Sequence, residues 1–147
     1  MKVWLNSAPQ AKRTDRNALK RCAETTLSVL GFPDSELSVT LVSDREIADL
    51  AGRFGREAAP TDVLAFSLLE GPGAEFRGEV LGDVVISVER AAAQAREHSV
   101  SLDTELRDLL IHGVLHLVGM DHERVEDGRR MRELEDHLRW ELTRTST

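Results

Sequence analysis

The alternation of apolar and polar residues along the chain predicts strands and helices in the order βαβαββααα. Short runs rich in Val, Leu, Ile and Phe are typical of strands, and such runs lie at residues 2–6, 36–42, 62–68 and 80–87. Stretches with apolar residues at helical spacing predict helices at about 9–30, from Ser43 to about Phe54, from Ser87 to about 98, from Ser101 to Val118, and at about 124–142. The order predicts an α+β fold, with one domain over residues 1–147 in which a mixed sheet of about four strands is packed by about five helices.

Capping residues support several of these helix boundaries. Ser43 and Glu46 have the spacing of a capping box, and Ser87 and Ser101 are N-cap residue types ahead of the next two helices. The apolar faces of the first, fourth and fifth helices are expected in the core: Leu19, Cys22, Ala23, Thr26, Leu27 and Leu30; Leu102, Leu106, Leu109, Leu110, Gly113 and Leu117; Met131, Leu134, Leu138 and Leu142. Trp140 is also expected to lie in the core rather than to have a functional role.

The composition is typical of a compact intracellular domain. A chain of 147 residues with 41% hydrophobic residues is long and apolar enough to build one sizeable core. Its single cysteine, Cys22, excludes an intrachain disulfide, and the first residues become polar too quickly for a signal peptide. No run approaches the roughly 18 apolar residues of a membrane span. We therefore expect a cytoplasmic protein.

The charge balance argues against tight binding of free nucleic acid. The formal net charge is −7, whereas neutralisation of phosphates by Lys and Arg usually dominates affinity for nucleic acids. Cationic residues nevertheless cluster near the first helix: Lys12, Arg13, Arg16, Lys20 and Arg21. This cluster is either a solvated helix face or a contact with RNA or the ribosome.

Three histidines within eleven residues predict a metal site. His112 and His116 stand at i and i+4, so both imidazoles leave the same face of a helix. His122 cannot join them if the helix continues, because six further residues would turn it roughly 240° away. Gly119 allows the chain to end the helix and turn back, which places the predicted site at a helix C-terminus.

The ligand set predicts zinc with an open coordination position. Three imidazoles plus a water are typical of catalytic zinc, whereas structural sites usually have four protein ligands and are rich in cysteine. We therefore expect one zinc ion per chain at a hydrolytic centre. A chance grouping of packed or solvated histidines is the alternative, and it is disfavoured because the chain has only five histidines. The other two, His98 and His137, are expected to be ordinary residues on helix surfaces.

The residue after the first histidine argues against a protease. The spacing of the three histidines is that of the metzincin proteases, in which a glutamate follows the first histidine and acts as general base. Here that residue is Gly113, so the carboxylate that would activate water is absent from its place. Asp121, next to a ligand, is expected to orient an imidazole rather than to act as the base.

Three segments together resemble the YbeY family of bacterial endoribonucleases. They are Pro-Thr-Asp-Val-Leu-Ala-Phe at 60–66, Leu-Gly-Asp-Val-Val-Ile-Ser at 81–87 and His-Gly-Val-Leu-His-Leu-Val-Gly-Met-Asp-His at 112–122. The resemblance implies a metal-dependent endoribonuclease specific for single strands, which acts in 16S rRNA 3′-end processing, ribosome maturation and ribosome quality control. It also implies that His112, His116 and His122 are the zinc ligands, and that RNA precursors and small-subunit ribosomal proteins are partners.

The chain departs from the family pattern just before the first of these segments. The family usually has an arginine at the place occupied here by Gly55, and Arg56 and Arg53 are its neighbours. Either arginine could supply the guanidinium after a small shift of the loop. We assign the catalytic role to Arg56, whose guanidinium would share charge on the phosphate. The usual serine is replaced by Ala65.

The nucleophile and general base stay open at this stage. No convincing base is present, so water and the ribose 2′-hydroxyl are both candidates for the attacking group. Thr61 and Asp62 either line the groove or, in the favoured interpretation for Asp62, begin a turn or strand.

Two other classes of function are compatible with the sequence. A non-catalytic ribosome assembly factor would use the metal only to stabilise its fold. A metal-dependent hydrolase of another substrate, including a peptidase, would need a base that the sequence does not supply at Gly113.

Overall fold

The predicted order and class of elements are confirmed. The computed structural model describes residues 2–7, 14–32, 35–53, 62–67, 80–117 and 125–145. The elements within these ranges are β1 (Lys2–Ser7), α1 (Arg16–Val29), β2 (Glu36–Val42), α2 (Asp44–Arg53), β3 (Val63–Ser67), β4 (Val80–Ser87), α3 (Val88–His98), α4 (Leu102–Leu117) and α5 (Val125–Thr145). They form an α+β fold with one mixed sheet of four strands and five helices.

The sheet has the strand order β1-β2-β4-β3. β1 pairs with β2 and β2 with β4 in parallel, whereas β3 pairs with β4 in antiparallel orientation. One row across the sheet runs from Leu5 through Val39 and Val84 to Ala65. In this order β3 is an edge strand, so one of its sides is available to border a cleft.

Helices cover the two faces of the sheet. Val84 and Ile86 of β4 lie in the larger core, which also contains residues of α1, α4 and α5. Val85, between them, lies in a second cluster with Ile47 and Ala51 of α2, because successive strand residues point to opposite faces. Among the described residues, no helix has both the length and the apolar character that a membrane crossing requires.

Hydrogen bonds confirm the predicted helix caps. The Ser43 N–H donates to Glu46 Oε1 at 3.3 Å, and the Glu46 N–H donates to Ser43 Oγ at 3.2 Å, which completes a capping box. Ser87 Oγ accepts from the N–H of Arg90, and Ser101 Oγ accepts from the N–H of Thr104. These side chains use amide groups that a helix leaves without an internal partner.

The predicted start of the first helix is wrong. α1 begins at Arg16 rather than near residue 9, because Asp15 is its N-cap and accepts from the N–H of Ala18 at 3.0 Å. Asp15 also donates its own N–H to Asp103 of α4, which fixes this end of α1 against its neighbour. Residues 8–13 lie outside the described part of the chain.

Three expectations about the core need correction. α4 is buried more widely than its predicted stripe, since Ile111, Val114 and Leu115 are buried as well. Three residues predicted in the core are only partly buried against it: Leu30, Leu102 and Leu134. Trp140 is 56% exposed rather than in the core. Leu138 and Leu142 of α5 face the core of the protein. Trp140 is two residues from each of them, so it is turned roughly 200° away from the core. The Met131 side chain lies outside the described residues.

Candidate metal centre

The two helical histidines meet at one cleft. Nε2 of His112 lies 3.0 Å from Nε2 of His116, and the ring centroids are 4.5 Å apart. The cleft has a volume of about 370 Å³ and lies between the last turns of α4 and the edge strand β3. The structure thus brings together the first two histidines predicted as ligands.

The separation of the two nitrogens is compatible with a shared metal ion. Zinc–imidazole bonds of 2.0–2.1 Å in tetrahedral geometry place two ligand nitrogens roughly 3.3 Å apart. The observed 3.0 Å is close to that separation. Imidazole nitrogens also suit zinc better than the hard cations calcium and magnesium, which prefer oxygen.

The third predicted ligand, His122, lies outside the described residues, as do Gly119 and Asp121. Within the described ranges, no three His, Cys, Asp or Glu side chains form a group that could hold a metal. Cys22 is buried in the core instead, and desolvation raises the pKa of its thiol to about 12. The described part of the site therefore consists of a pair of imidazoles, and the completed ligand set stays a prediction.

Gly113 explains how α4 approaches the sheet so closely. A Cβ atom at this position would lie 2.7 Å from Val84 Cγ1 and 3.2 Å from Val63 Cγ2. Real Cβ atoms essentially never have contacts as short as the first of these. A glutamate of the metzincin kind therefore does not fit here unless Val84 and Val63 are displaced.

Asp62 borders the cleft and directly precedes β3. It lines the cleft together with Val63, Ala65 and the two histidines. Its backbone oxygen accepts from the N–H of Ser87 at 2.9 Å, and its carboxylate accepts from Gln94 Nε2 at 3.3 Å. Asp62 thus combines the two roles considered for it, because its carboxylate is held at the rim by α3.

Glu135 of α5 is a neighbour of the site that the sequence analysis missed. Its Oε1 lies 3.7 Å from Nδ1 of His112, and its side chain is 14% exposed. That oxygen is buried and has no hydrogen-bond partner among the residues that the structure describes, although a buried acceptor without one costs about 1–3 kcal/mol. The only sequence signal was a carboxylate beside the apolar stripe of the helix that follows the histidine motif, which is too common to single out one residue.

Arg139 holds the second oxygen of the Glu135 carboxylate. Its guanidinium lies 3.3 Å from Glu135 Oε2, 3.1 Å from Asp136 and 2.9 Å from Asp108 of α4. Because Arg139 is 43% exposed, solvent screens these ion pairs and each stabilises the fold only modestly. Their main effect is geometric, since they fix the Glu135 carboxylate relative to the helix that carries the histidines.

The remaining predicted residues lie away from this cleft or outside the described ranges. His98 and His137 are exposed on α3 and α5, as expected for surface histidines. Arg53 is exposed at the end of α2. Arg56, Gly55 and Thr61 lie outside the described residues, so the assignment of Arg56 as the catalytic arginine stays a prediction.

Comparisons with known proteins give one consistent family. The family model described as Endoribonuclease YbeY matches residues 5–143. Endoribonuclease YbeY of Aquifex aeolicus (strain VF5) is 40% identical over 135 residues, which cover 90% of this chain and 87% of that protein. Endoribonuclease YbeY of Anaeromyxobacter sp. (strain Fw109-5) is 44% identical over 138 residues, 94% of this chain and 70% of that protein. The solution structure of TM1509 from Thermotoga maritima is similar with a TM-score of 0.63 and 25% identity, and the match covers 98% of this chain and 93% of that one.

Proposed function

The chain belongs to the YbeY family of endoribonucleases and is by that membership an endoribonuclease, and from this premise we propose that it cleaves single-stranded RNA with the help of one zinc ion. The observation that carries the proposal is the pair of Nε2 atoms 3.0 Å apart at the cleft. We propose His112, His116 and His122 as the ligands. The substrate we propose is the 3′ end of 16S rRNA precursors, which would place the enzyme in the cytoplasm.

We propose that residues of this chain bind the metal and stabilise charge on a phosphate of the RNA in the cleft. Zinc bound there would supply a Lewis acid that offsets negative charge developing on the phosphoryl oxygens. Nε2 of His112 and Nε2 of His116 must each carry no proton to bind a cation. The backbone of α4 fixes the distance between the two imidazoles. Arg56 is proposed to share the developing charge through its guanidinium.

The shape of the cleft supports a single-stranded substrate. A volume of about 370 Å³ is that of a small-ligand site and suits a short stretch of unpaired nucleotides rather than a duplex. Single strands can present splayed bases and a bent backbone to such a site, whereas the bases of a duplex stay paired and stacked.

The peptidase alternative is disfavoured by packing. A peptidase of the metzincin type needs a carboxylate directly after the first histidine, and Gly113 has no room for one against Val84 and Val63. In RNA cleavage the attacking group can instead be a water or the ribose 2′-hydroxyl. Gly113 supplies no carboxylate base for either of these groups.

A docking partner would offset the weak binding of RNA that the negative net charge implies. With a net charge of −7, the protein is not expected to bind free RNA tightly. We propose that proteins of the small ribosomal subunit bring the enzyme to its substrate, so that local concentration replaces strong phosphate binding. This partner is also what the alternative of a non-catalytic assembly factor would require.

Cleavage of matched RNA substrates tests the proposal. Purified protein is incubated with an end-labelled single strand and with the same sequence annealed to its complement. We expect cleavage of the single strand and protection of the duplex. Cleavage of casein without cleavage of RNA would contradict the proposal, and binding to small subunits without any cleavage would favour the assembly factor.

A further inference from the structure

We infer that Glu135 is a positioning residue for the proposed zinc centre, in which its carboxylate accepts a hydrogen bond from Nδ1–H of His112 and so leaves Nε2 of that ring as the ligand. The inference rests on the proposed function, since it concerns the same site. Glu135 contributes no atom to the cleft itself, and it acts through His112.

The protonation of the His112 ring decides whether it can bind a cation. A neutral imidazole carries one proton, so Nε2 can be a ligand only if the proton is on Nδ1. The group that Nδ1 faces therefore selects the tautomer, and ligating histidines usually donate from their second nitrogen to a carboxylate, carbonyl or water. In this chain Nδ1 of His112 faces Glu135 Oε1.

Glu135 is built to accept such a hydrogen bond. Within the described part of the chain, the buried Oε1 has no hydrogen-bond partner, while Oε2 is held by Arg139 at 3.3 Å. The carboxylate is thus fixed at one oxygen and unsatisfied at the oxygen that faces the ring. The distance of 3.7 Å is longer than a hydrogen bond, and a movement of roughly 0.8 Å would bring it to the usual 2.9 Å.

The contact between the two histidines agrees with this tautomer. If His112 carries its proton on Nδ1, its Nε2 is an acceptor, and in the metal-free protein the Nε2–H of His116 can donate to it across the observed 3.0 Å. Zinc binding at His116 would displace that proton from Nε2. In the opposite tautomer, Nδ1 would present a lone pair to the Glu135 carboxylate, and two acceptors would face each other.

Zinc affinity is the first readout. The dissociation constant is measured by competition with a chelator of known affinity for the wild type, Glu135→Ala, Glu135→Gln and the control Glu133→Ala, which removes an exposed carboxylate from the same helix. We expect Glu135→Ala to bind zinc about 10- to 100-fold more weakly. Glu135→Gln should lose less, because it keeps an acceptor oxygen, and Glu133→Ala should match the wild type.

The tautomer of His112 in the metal-free protein is the second readout and does not depend on zinc. Long-range ¹⁵N–¹H NMR at a pH where the imidazoles are neutral should show the proton on Nδ1 in the wild type and in Glu133→Ala. In Glu135→Ala the proton should be redistributed toward Nε2. If that variant does not fold, Glu135→Gln serves in its place with a smaller expected change.

The outcomes separate this inference from the proposed function. One outcome would overturn the role of Glu135 alone: the wild type binds zinc, but Glu135→Ala keeps the wild-type His112 tautomer and a zinc affinity within twofold of that of Glu133→Ala. A wild-type protein that binds no zinc would overturn the zinc centre and the role of Glu135 together.

Discussion

Gly113 of α4 lies so close to Val84 of β4 that a Cβ atom on the glycine would be 2.7 Å from Val84 Cγ1. Replacing a glycine inside a helix by alanine normally stabilises the helix by about 1 kcal/mol. Here the added methyl group meets the core, so we expect Gly113→Ala to destabilise the protein by about 1–3 kcal/mol in urea denaturation.

The size of Val84 provides the control for this prediction. In a Val84→Ala background the space opposite Gly113 is larger, so adding Gly113→Ala should cost less than it does in the wild type. Equal effects in the two backgrounds, or a more stable Gly113→Ala protein, would show that the contact does not limit position 113.

The pair of cleft histidines predicts a selective loss of metal and activity. His116 is exposed in the last turn of α4, so His116→Ala should leave the fold intact while abolishing stoichiometric zinc binding and RNA cleavage. His137→Ala is the matched control, because His137 is exposed on α5 and stacks on Trp140 rather than facing the cleft. Far-UV circular dichroism checks folding, and full RNase activity in a purified His116→Ala protein would exclude the proposed centre.

The ion pair between His98 and Glu105 predicts a pH-dependent contribution to stability. Nδ1 of His98 lies 3.0 Å from the buried carboxylate of Glu105, and the hydrogen bond to Glu105 raises the pKa of His98 above its ordinary 6.5. Because the folded state holds this proton more tightly, the contribution is fully present below pH 6.5 and is lost as the pH rises through the raised pKa.

We therefore expect His98→Ala to lower the melting temperature more at pH 5.5 than at pH 8.5. Comparing the variant with the wild type at each pH removes the titration of other groups that both proteins share. A loss that is the same at both values, or larger at pH 8.5, would contradict the predicted direction.

A cleft at the opposite edge of the sheet allows a test of whether the cationic cluster near the first helix contacts RNA or is a solvated helix face. Its volume is about 340 Å³, and its lining includes Trp4, Arg16 and Lys20. Trp4 is 58% exposed and lies near two cationic residues, which is the combination that stacks bases and attracts phosphates in single-strand binding proteins. If the cationic cluster contacts RNA, a single-stranded oligonucleotide should quench the fluorescence of Trp4 in a salt-dependent way.

The second tryptophan supplies the control. Trp140 is similarly exposed, at 56%, but lies beside His137 on α5. A Trp140→Phe protein reports on Trp4 alone, and a Trp4→Phe protein reports on Trp140 alone. Quenching confined to Trp4 and weakened by Lys20→Gln would support an RNA contact, whereas equal or absent quenching would leave a solvated helix face.

Local patterns predicted the elements, and tertiary contacts account for what the sequence did not reveal. The capping box at Ser43 and the bounds of β2 and β4 depend on neighbouring residues, and they were predicted correctly. The start of α1 was misplaced because Asp15 was not recognised as its cap. The burial of α4 on nearly all sides depends on the elements packed around it, which periodicity along one helix does not report.

In the candidate site, too, local spacing predicted one part, and the rest depends on tertiary packing. The i, i+4 spacing was enough to predict that His112 and His116 share a face, because helix geometry fixes that distance. Glu135 comes from another helix, so its approach to His112 depends on how α5 packs against α4. His122 and Arg56 lie outside the described residues, and their roles stay predictions.

The most direct test of the zinc-dependent mechanism is elemental analysis of the purified protein, combined with single-stranded RNA cleavage before chelation, after chelation and after zinc is added back. We predict one zinc per chain, and activity that falls with the chelator and returns with zinc. Cleavage at full rate by protein that contains no metal and is unaffected by the chelator would contradict the account.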